Sequence, residues 1–71
     1  MKNQRLIELR GKAELTQGQL ADKIGVSQSM VARIEAGARE PRKQVKIELA
    51  NFFHVTVEWL FYEQLYDRVS S

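Results

Sequence analysis

Apolar residues fall along this chain at helical spacing, in short runs cut by glycine, proline and small hydroxyl residues. Leu6, Leu9 and Ala13 recur at i, i+3, i+7 with Ile7 beside them, which predicts a first amphipathic helix from about Lys2 to Lys12. Thr16-Gln17-Gly18-Gln19 has the form of a capping box, in which the threonine hydroxyl takes the Gln19 backbone N–H and the glutamine amide reaches back. A second helix follows, with Leu20, Ala21 and Ile24 facing inward and Gly25 closing it in the left-handed conformation that glycine adopts at little cost. Ser27 caps a third helix with Val31 and Ile34 as its buried positions, and Gly37 stops it.

Polar turn residues and Pro41 lead into a fourth helix from about Arg42 to Phe53, with Val45, Leu49, Phe52 and Phe53 on one side. Thr56 caps a fifth, expected from Val57 to about Asp67. No stretch alternates with period two and no Asn-Gly or Asp-Gly hairpin signal occurs, so the expected fold class is all-α. Residues 17 to 36 form the most informative group. Two short helices crossing steeply through a three-residue turn need a small residue where they touch, a glycine at the turn and aliphatics where they converge. Ala21, Gly25, and Leu20, Ile24, Val26, Val31 and Ile34 meet those requirements in order. The outward positions of the second member, Gln28, Ser29, Ala32 and Arg33, are short or hydrogen-bonding and suit base edges better than a buried interface.

Length narrows the possibilities further. Seventy-one residues allow a single domain, 1–71, whose folding buries only about 60% of the surface its unfolded chain exposes. With no cysteine and one histidine, His54, neither a disulfide nor an ordinary zinc site can supplement the core, and no metal or cofactor is expected. Enzymatic readings fare badly, because the carboxylates are scattered, His54 ends an amphipathic helix, and Gly11 and Gly18 belong to no phosphate-cradling loop. No apolar run exceeds four residues, which excludes a transmembrane span, and the charged start excludes a secretory signal; a cytoplasmic location is expected.

The net charge of +2 conceals an asymmetry. Residues 1 to 43 hold nine bases against five acids, +4, whereas residues 44 to 71 hold two against four, −2. All six aromatics lie in the last third. A basic front points to a polyanion partner. The absence of aromatics from that front disfavours RNA or single strands, whose bases are commonly stacked on rings.

From Leu6 to Leu60 the chain resembles the helix-turn-helix domains of the phage-repressor and Cro type, the Xre-like regulators. The resemblance is carried by Thr16-Gln17, Leu20-Ala21-Asp22-Lys23-Ile24-Gly25-Val26-Ser27-Gln28-Ser29, Ile34-Glu35-Ala36-Gly37, Pro41 and Val57-Glu58-Trp59-Leu60. It implies a compact five-helix lambda-repressor-like domain that binds double-stranded DNA as a homodimer on a partly palindromic operator and controls transcription, by default as a repressor. In that frame the third helix enters the major groove. Gln28 pairs with adenine and Arg33 with guanine, each worth about 1–3 kcal/mol of discrimination. Ser29 is short and reaches a base only directly opposite it or through water, Ala32 is a further outward position of the base-reading set, and Met30 either meets a thymine methyl or packs beside the second helix. Gln17 and Ser27 are expected at phosphates, although capping alone also explains Ser27; Arg39, Arg42 and Lys43 approach the backbone after the reading helix. Arg10 and Glu35 are implied to meet as a partly buried structural ion pair.

The aromatic tail carries a second expectation. On a regular helical wheel Val57, Leu60, Phe61 and Leu65 make one apolar stripe, and Trp59, Tyr62 and Tyr66 make another. One core can bury only one stripe, and an exposed remainder invites a partner. Part of this helix, with Val55 and Val57, is therefore expected to form a two-fold interface, either stripe being able to face the partner, on a dimerisation helix spanning about 57–69. The family resemblance implies dimer contacts around Val57, Trp59 and Leu60, so the candidate set is Val55, Val57, Trp59, Leu60, Tyr62 and Tyr66. The alternative occupant of that face is an antagonist or toxin protein, which would make the chain an interaction module whose DNA contact is secondary. With no ligand domain expected after the DNA-binding unit, control would come from concentration, proteolysis or a partner.

Overall fold

In the computed structural model, which describes residues 2–63, each helix begins and ends where local chemistry directs it. Asn3 caps α1 (Gln4–Lys12) by accepting the Leu6 N–H on Oδ1 at 3.0 Å, so the helix starts slightly later than Lys2. Thr16 opens α2 (Gln17–Ile24) through the complete reciprocal box: its Oγ1 accepts the Gln19 N–H at 3.0 Å, and Gln19 Oε1 accepts the Thr16 N–H at 2.9 Å. Gly25, at φ 77°, closes α2, and Ala21 O accepts the N–H groups of both Gly25 and Val26. Ser27 Oγ accepts the Met30 N–H at 3.1 Å to begin α3 (Gln28–Ala36), which Gly37 ends at φ 76°.

Among the described residues, two left-handed positions are not glycine. Glu14, just after α1, and His54, just after α4 (Lys43–Phe52), both sit at φ 58°. Each carries a Cβ in a region that costs about 1–2 kcal/mol for an ordinary L-residue.

The last described helix departs from the expected winding. Thr56 Oγ1 accepts the Trp59 N–H at 3.0 Å, and α5 (Glu58–Tyr62) then follows the wider π pattern with i→i+5 bonds. Its Trp59 carbonyl accepts Arg5 Nη1 at 2.7 Å, and its Leu60 carbonyl accepts Asn3 Nδ2 at 3.1 Å. The Arg5 guanidinium also lies over the Trp59 ring, 4.4 Å from its centre. The first residues of the chain and the last described ones are thereby joined. The expectation of a helix continuing to about Asp67 lies outside the described residues.

All five helices contribute to one apolar core: Leu6 from α1, Leu20, Ala21 and Ile24 from α2, Val31 and Ile34 from α3, Leu49 from α4 and Leu60 from α5. Burying each of the larger side chains contributes about 1.5–3 kcal/mol. Ala21 is fully covered, as the contact between the crossing helices α2 and α3 requires. No strand occurs among the described residues, and none of their helices is long and apolar enough to cross a membrane.

Candidate nucleic-acid interface

Helix α3 has two chemically distinct sides. Val31, Ile34 and Glu35 are buried, whereas Gln28, Ser29 and Arg33 are exposed. Ala32 is half-buried, and Met30 is half-buried and packs against the core, which favours its packing role over a reach toward a base. Ser27 combines its cap bond with an exposed position at the start of the helix.

The N-termini of α2 and α3 come together on this side. A methyl group at Gly18 would sit 3.6 Å from Gln28 Oε1, so the Gln28 amide lies alongside the first turn of α2. Unsatisfied N–H groups and the positive ends of the two helix dipoles make that neighbourhood favourable to an anion. Gln17 stands at the same place, half-buried, and donates Nε2 to Glu35 Oε1 at 2.9 Å. A glutamine amide nitrogen carries two hydrogens. One is spent on Glu35, and the other is what remains for the phosphate that the family resemblance implies.

Behind this surface Arg10 meets Glu35 through Nε to Oε2 at 2.5 Å and Nη2 to Oε1 at 3.1 Å, and its Nη1 donates to the Leu15 carbonyl at 2.9 Å. The Glu35 carboxylate hydrogen-bonds to Arg10 and holds its pKa above the ordinary arginine value, against the opposing effect of burial. Arg10 and Glu35 together therefore tie α1, the α1–α2 connection, α2 and α3 to one another. The Glu35 backbone carbonyl extends the link by accepting the Asn3 N–H at 2.8 Å.

After α3 the chain turns at Gly37 and re-enters helix at Lys43. Arg39, Arg42 and Lys43 are exposed, and Pro41 is buried. Arg42 stands exposed at the N-cap of α4 with no side-chain cap bond, since a guanidinium has no acceptor to offer the first-turn N–H groups. Glu40, lying among these bases, is ion-paired to Lys46.

The residues expected at a dimer interface separate in the structure. Leu60 is 0% exposed and belongs to the core of its own chain, so it has no surface to share with a second copy and is removed from the interface set. Val55, Val57 and Trp59 are half-buried, with Trp59 held under Arg5, and Tyr62 is 41% exposed. The regular-wheel division into two stripes also fails: Trp59 and Phe61, assigned to different stripes, both pack against the core that contains Leu60. Tyr66 and Leu65 lie outside the described residues.

Three polar residues of structural consequence escaped the sequence reading. Asn3 and Arg5 bind carbonyls more than fifty positions away, which no local pattern announces. Lys46 had a readable signal, since it shares the i, i+3, i+7 row of Leu49 and Phe53 and therefore falls on the apolar side of α4.

Comparison with known proteins agrees with this architecture. Residues 6–60 match the family described as helix-turn-helix. An HTH-type transcriptional regulator of Methanocaldococcus jannaschii is 39% identical over 61 residues, covering 86% of this chain and 91% of the relative. One from Archaeoglobus fulgidus is 33% identical, covering 80% of this chain and 81% of the relative. A third, from Bacillus subtilis, is 32% identical over 84% of this chain, which spans about half (52%) of that longer relative. No solved structure matches significantly. With the two capped helices, the glycine-closed turn between them and the exposed polar face of α3, these matches mean that the chain belongs to the Xre-type helix-turn-helix family of transcriptional regulators.

Proposed function

We propose that the protein is a sequence-specific double-stranded-DNA-binding regulator of transcription, a repressor that lays α3 in the major groove and binds a palindromic operator as a homodimer in the cytoplasm. It acts by occupancy and catalyses nothing. The observation that carries the reading is the division of α3: Gln28, Ser29 and Arg33 are exposed on a helix whose opposite side is locked into the core. Gln28 and Arg33 offer the bidentate geometries that adenine and guanine accept, with Ser29 and Ala32 short enough to let the helix approach. Gln17, Ser27, Arg39, Arg42 and Lys43 supply phosphate contacts around it, which fix register without reading sequence.

In the dimer the remaining candidates, Val55, Val57, Trp59 and Tyr62, supply the apolar contact. Two-fold symmetry then places two reading helices on half-sites about 34 Å apart. Selection from genomic fragments followed by footprinting tests the proposal. The expected result is enrichment of an inverted repeat, protected over two successive major grooves, with affinity falling steeply as salt rises. Failure to enrich any sequence, together with salt-insensitive binding, would overturn it in favour of a module whose main partner is a protein. Sedimentation of the wild-type chain at micromolar concentration tests the dimer, and a monomer indistinguishable from Trp59→Ala counts against the interface.

A further inference from the structure

The segment that joins α3 to α4 holds an acid among bases. Arg39, Glu40 and Arg42 are all exposed, and Lys43 follows at the first position of α4. A free carboxylate in that position repels the phosphates that its neighbours attract.

Glu40 is not free. Its Oε1 is paired with Nζ of Lys46, a lysine only 8% exposed. The same ammonium donates to the phenolic oxygen of Tyr62 at 2.6 Å, and it lies 4.7 Å from the centre of the Tyr62 ring and 5.8 Å from that of Phe61. A cation removed from water needs such partners, and ring faces provide part of the compensation. Its pKa is pushed above the ordinary lysine value, first by Glu40 and then by Tyr62, so it is charged at neutral pH. Its stem is buried in α4 and its head is held by α5, whereas the Glu40 side chain is 77% exposed. Lys46 is therefore the fixed member of the pair, and Glu40 is the one restrained.

We propose that Lys46 is a positioning residue for DNA binding: it holds the Glu40 carboxylate against the protein, so that the segment meets the phosphates with Arg39, Arg42 and Lys43 and without an opposing acid. The proposal rests on reading that segment as phosphate-facing. It also gives Tyr62 and Phe61 of α5 a part in DNA affinity without any contact to DNA.

A double-mutant cycle read by DNA affinity tests it. Fluorescence anisotropy on a mixed-sequence duplex three helical turns long, across a KCl series, compares wild type, Glu40→Gln, Lys46→Met and the double variant, with circular dichroism confirming the fold of each. Glu40→Gln alone is expected to leave affinity within about twofold of wild type, because its charge is already neutralised. Lys46→Met should weaken binding by about fivefold at low salt, and adding Glu40→Gln should restore most of that loss. If Lys46→Met does not fold, Lys46→Gln serves in the same cycle. Equal gains from Glu40→Gln in both backgrounds, or no loss from removing the lysine, overturns the proposal. Arg42→Ala separates the two levels: if it changes neither affinity nor salt slope, the phosphate-facing reading fails and takes the tie with it. If it weakens binding while the cycle is additive, only the tie fails.

Discussion

Glu35 and Arg10 are joined by two hydrogen bonds with Glu35 only 4% exposed, and the oxygen that receives Arg10 Nη2 also receives the amide of Gln17. The scaffold and the candidate DNA surface thus share an atom. Glu35→Gln should leave the Arg10 guanidinium without its charge partner, at a site where its side chain is only 20% exposed, and cost about 3 kcal/mol. Arg10→Met combined with Glu35→Leu should recover most of that, since a buried ion pair contributes little beyond a well-packed apolar pair. Urea unfolding of the three variants decides, and a double variant as unstable as the single one would count against this account.

Lys46 gives a pH prediction whose sign follows from its partners. Glu40 and Tyr62 raise its pKa in the folded state above the ordinary value of 10.5. Such a group binds its proton more tightly folded than unfolded, so its stabilisation is complete below about pH 10.5 and lost as pH climbs through the raised value. The unfolding free energy of the wild type should therefore fall toward that of Lys46→Met in alkaline solution and stay clear of it at neutral pH. Parallel urea midpoints for the two proteins, compared across that range, measure it.

The left-handed positions predict that introducing glycine at one stabilises and removing glycine from another destabilises. His54, at φ 58°, should gain about 0.5–1 kcal/mol on replacement by glycine, raising the melting temperature by a few degrees. Gly25→Ala should lose about 1 kcal/mol although nothing lies within 4 Å of the added methyl, because the cost is in φ, at 77°. Stabilisation by Gly25→Ala in thermal melts would show that the turn relaxes.

On DNA, the exposed residues of α3 should behave unlike those that follow it. Arg33→Ala and Gln28→Ala should each relax preference at one base pair by about 1–3 kcal/mol. Lys43→Ala should weaken all sequences alike and reduce the salt slope by about one unit. Competition binding with single-base operator variants separates the two patterns, and identical profiles for Arg33→Ala and Lys43→Ala would contradict the roles assigned to them.

How much of this could be read beforehand depended on the range of the interaction. The α2–turn–α3 unit was legible because its boundaries are set within four residues, by Thr16, Gly25, Ser27 and Gly37 acting on their own backbone neighbours. The exposed set on α3 followed from the same register. The winding of α5 was not legible, since its Trp59 and Leu60 carbonyls take donors from Arg5 and Asn3 at the other end of the chain. The interface role that the resemblance implied for Leu60 is overturned because its side chain is enclosed by its own chain. Lys46 was missed because a lysine is read as solvated by default, and its justification lies in Glu40 and Tyr62, on separate elements.

The two-sided character of α3 has an evolutionary consequence. Gln28, Ser29 and Arg33 contribute no packing to the core, so exchanging them leaves the buried contacts of Val31, Ile34 and Glu35 intact. Variation at the outward positions is therefore nearly neutral for stability. On the proposed reading of α3, a lineage carrying this scaffold can change the sequences it recognises one exposed side chain at a time, without passing through unfolded intermediates.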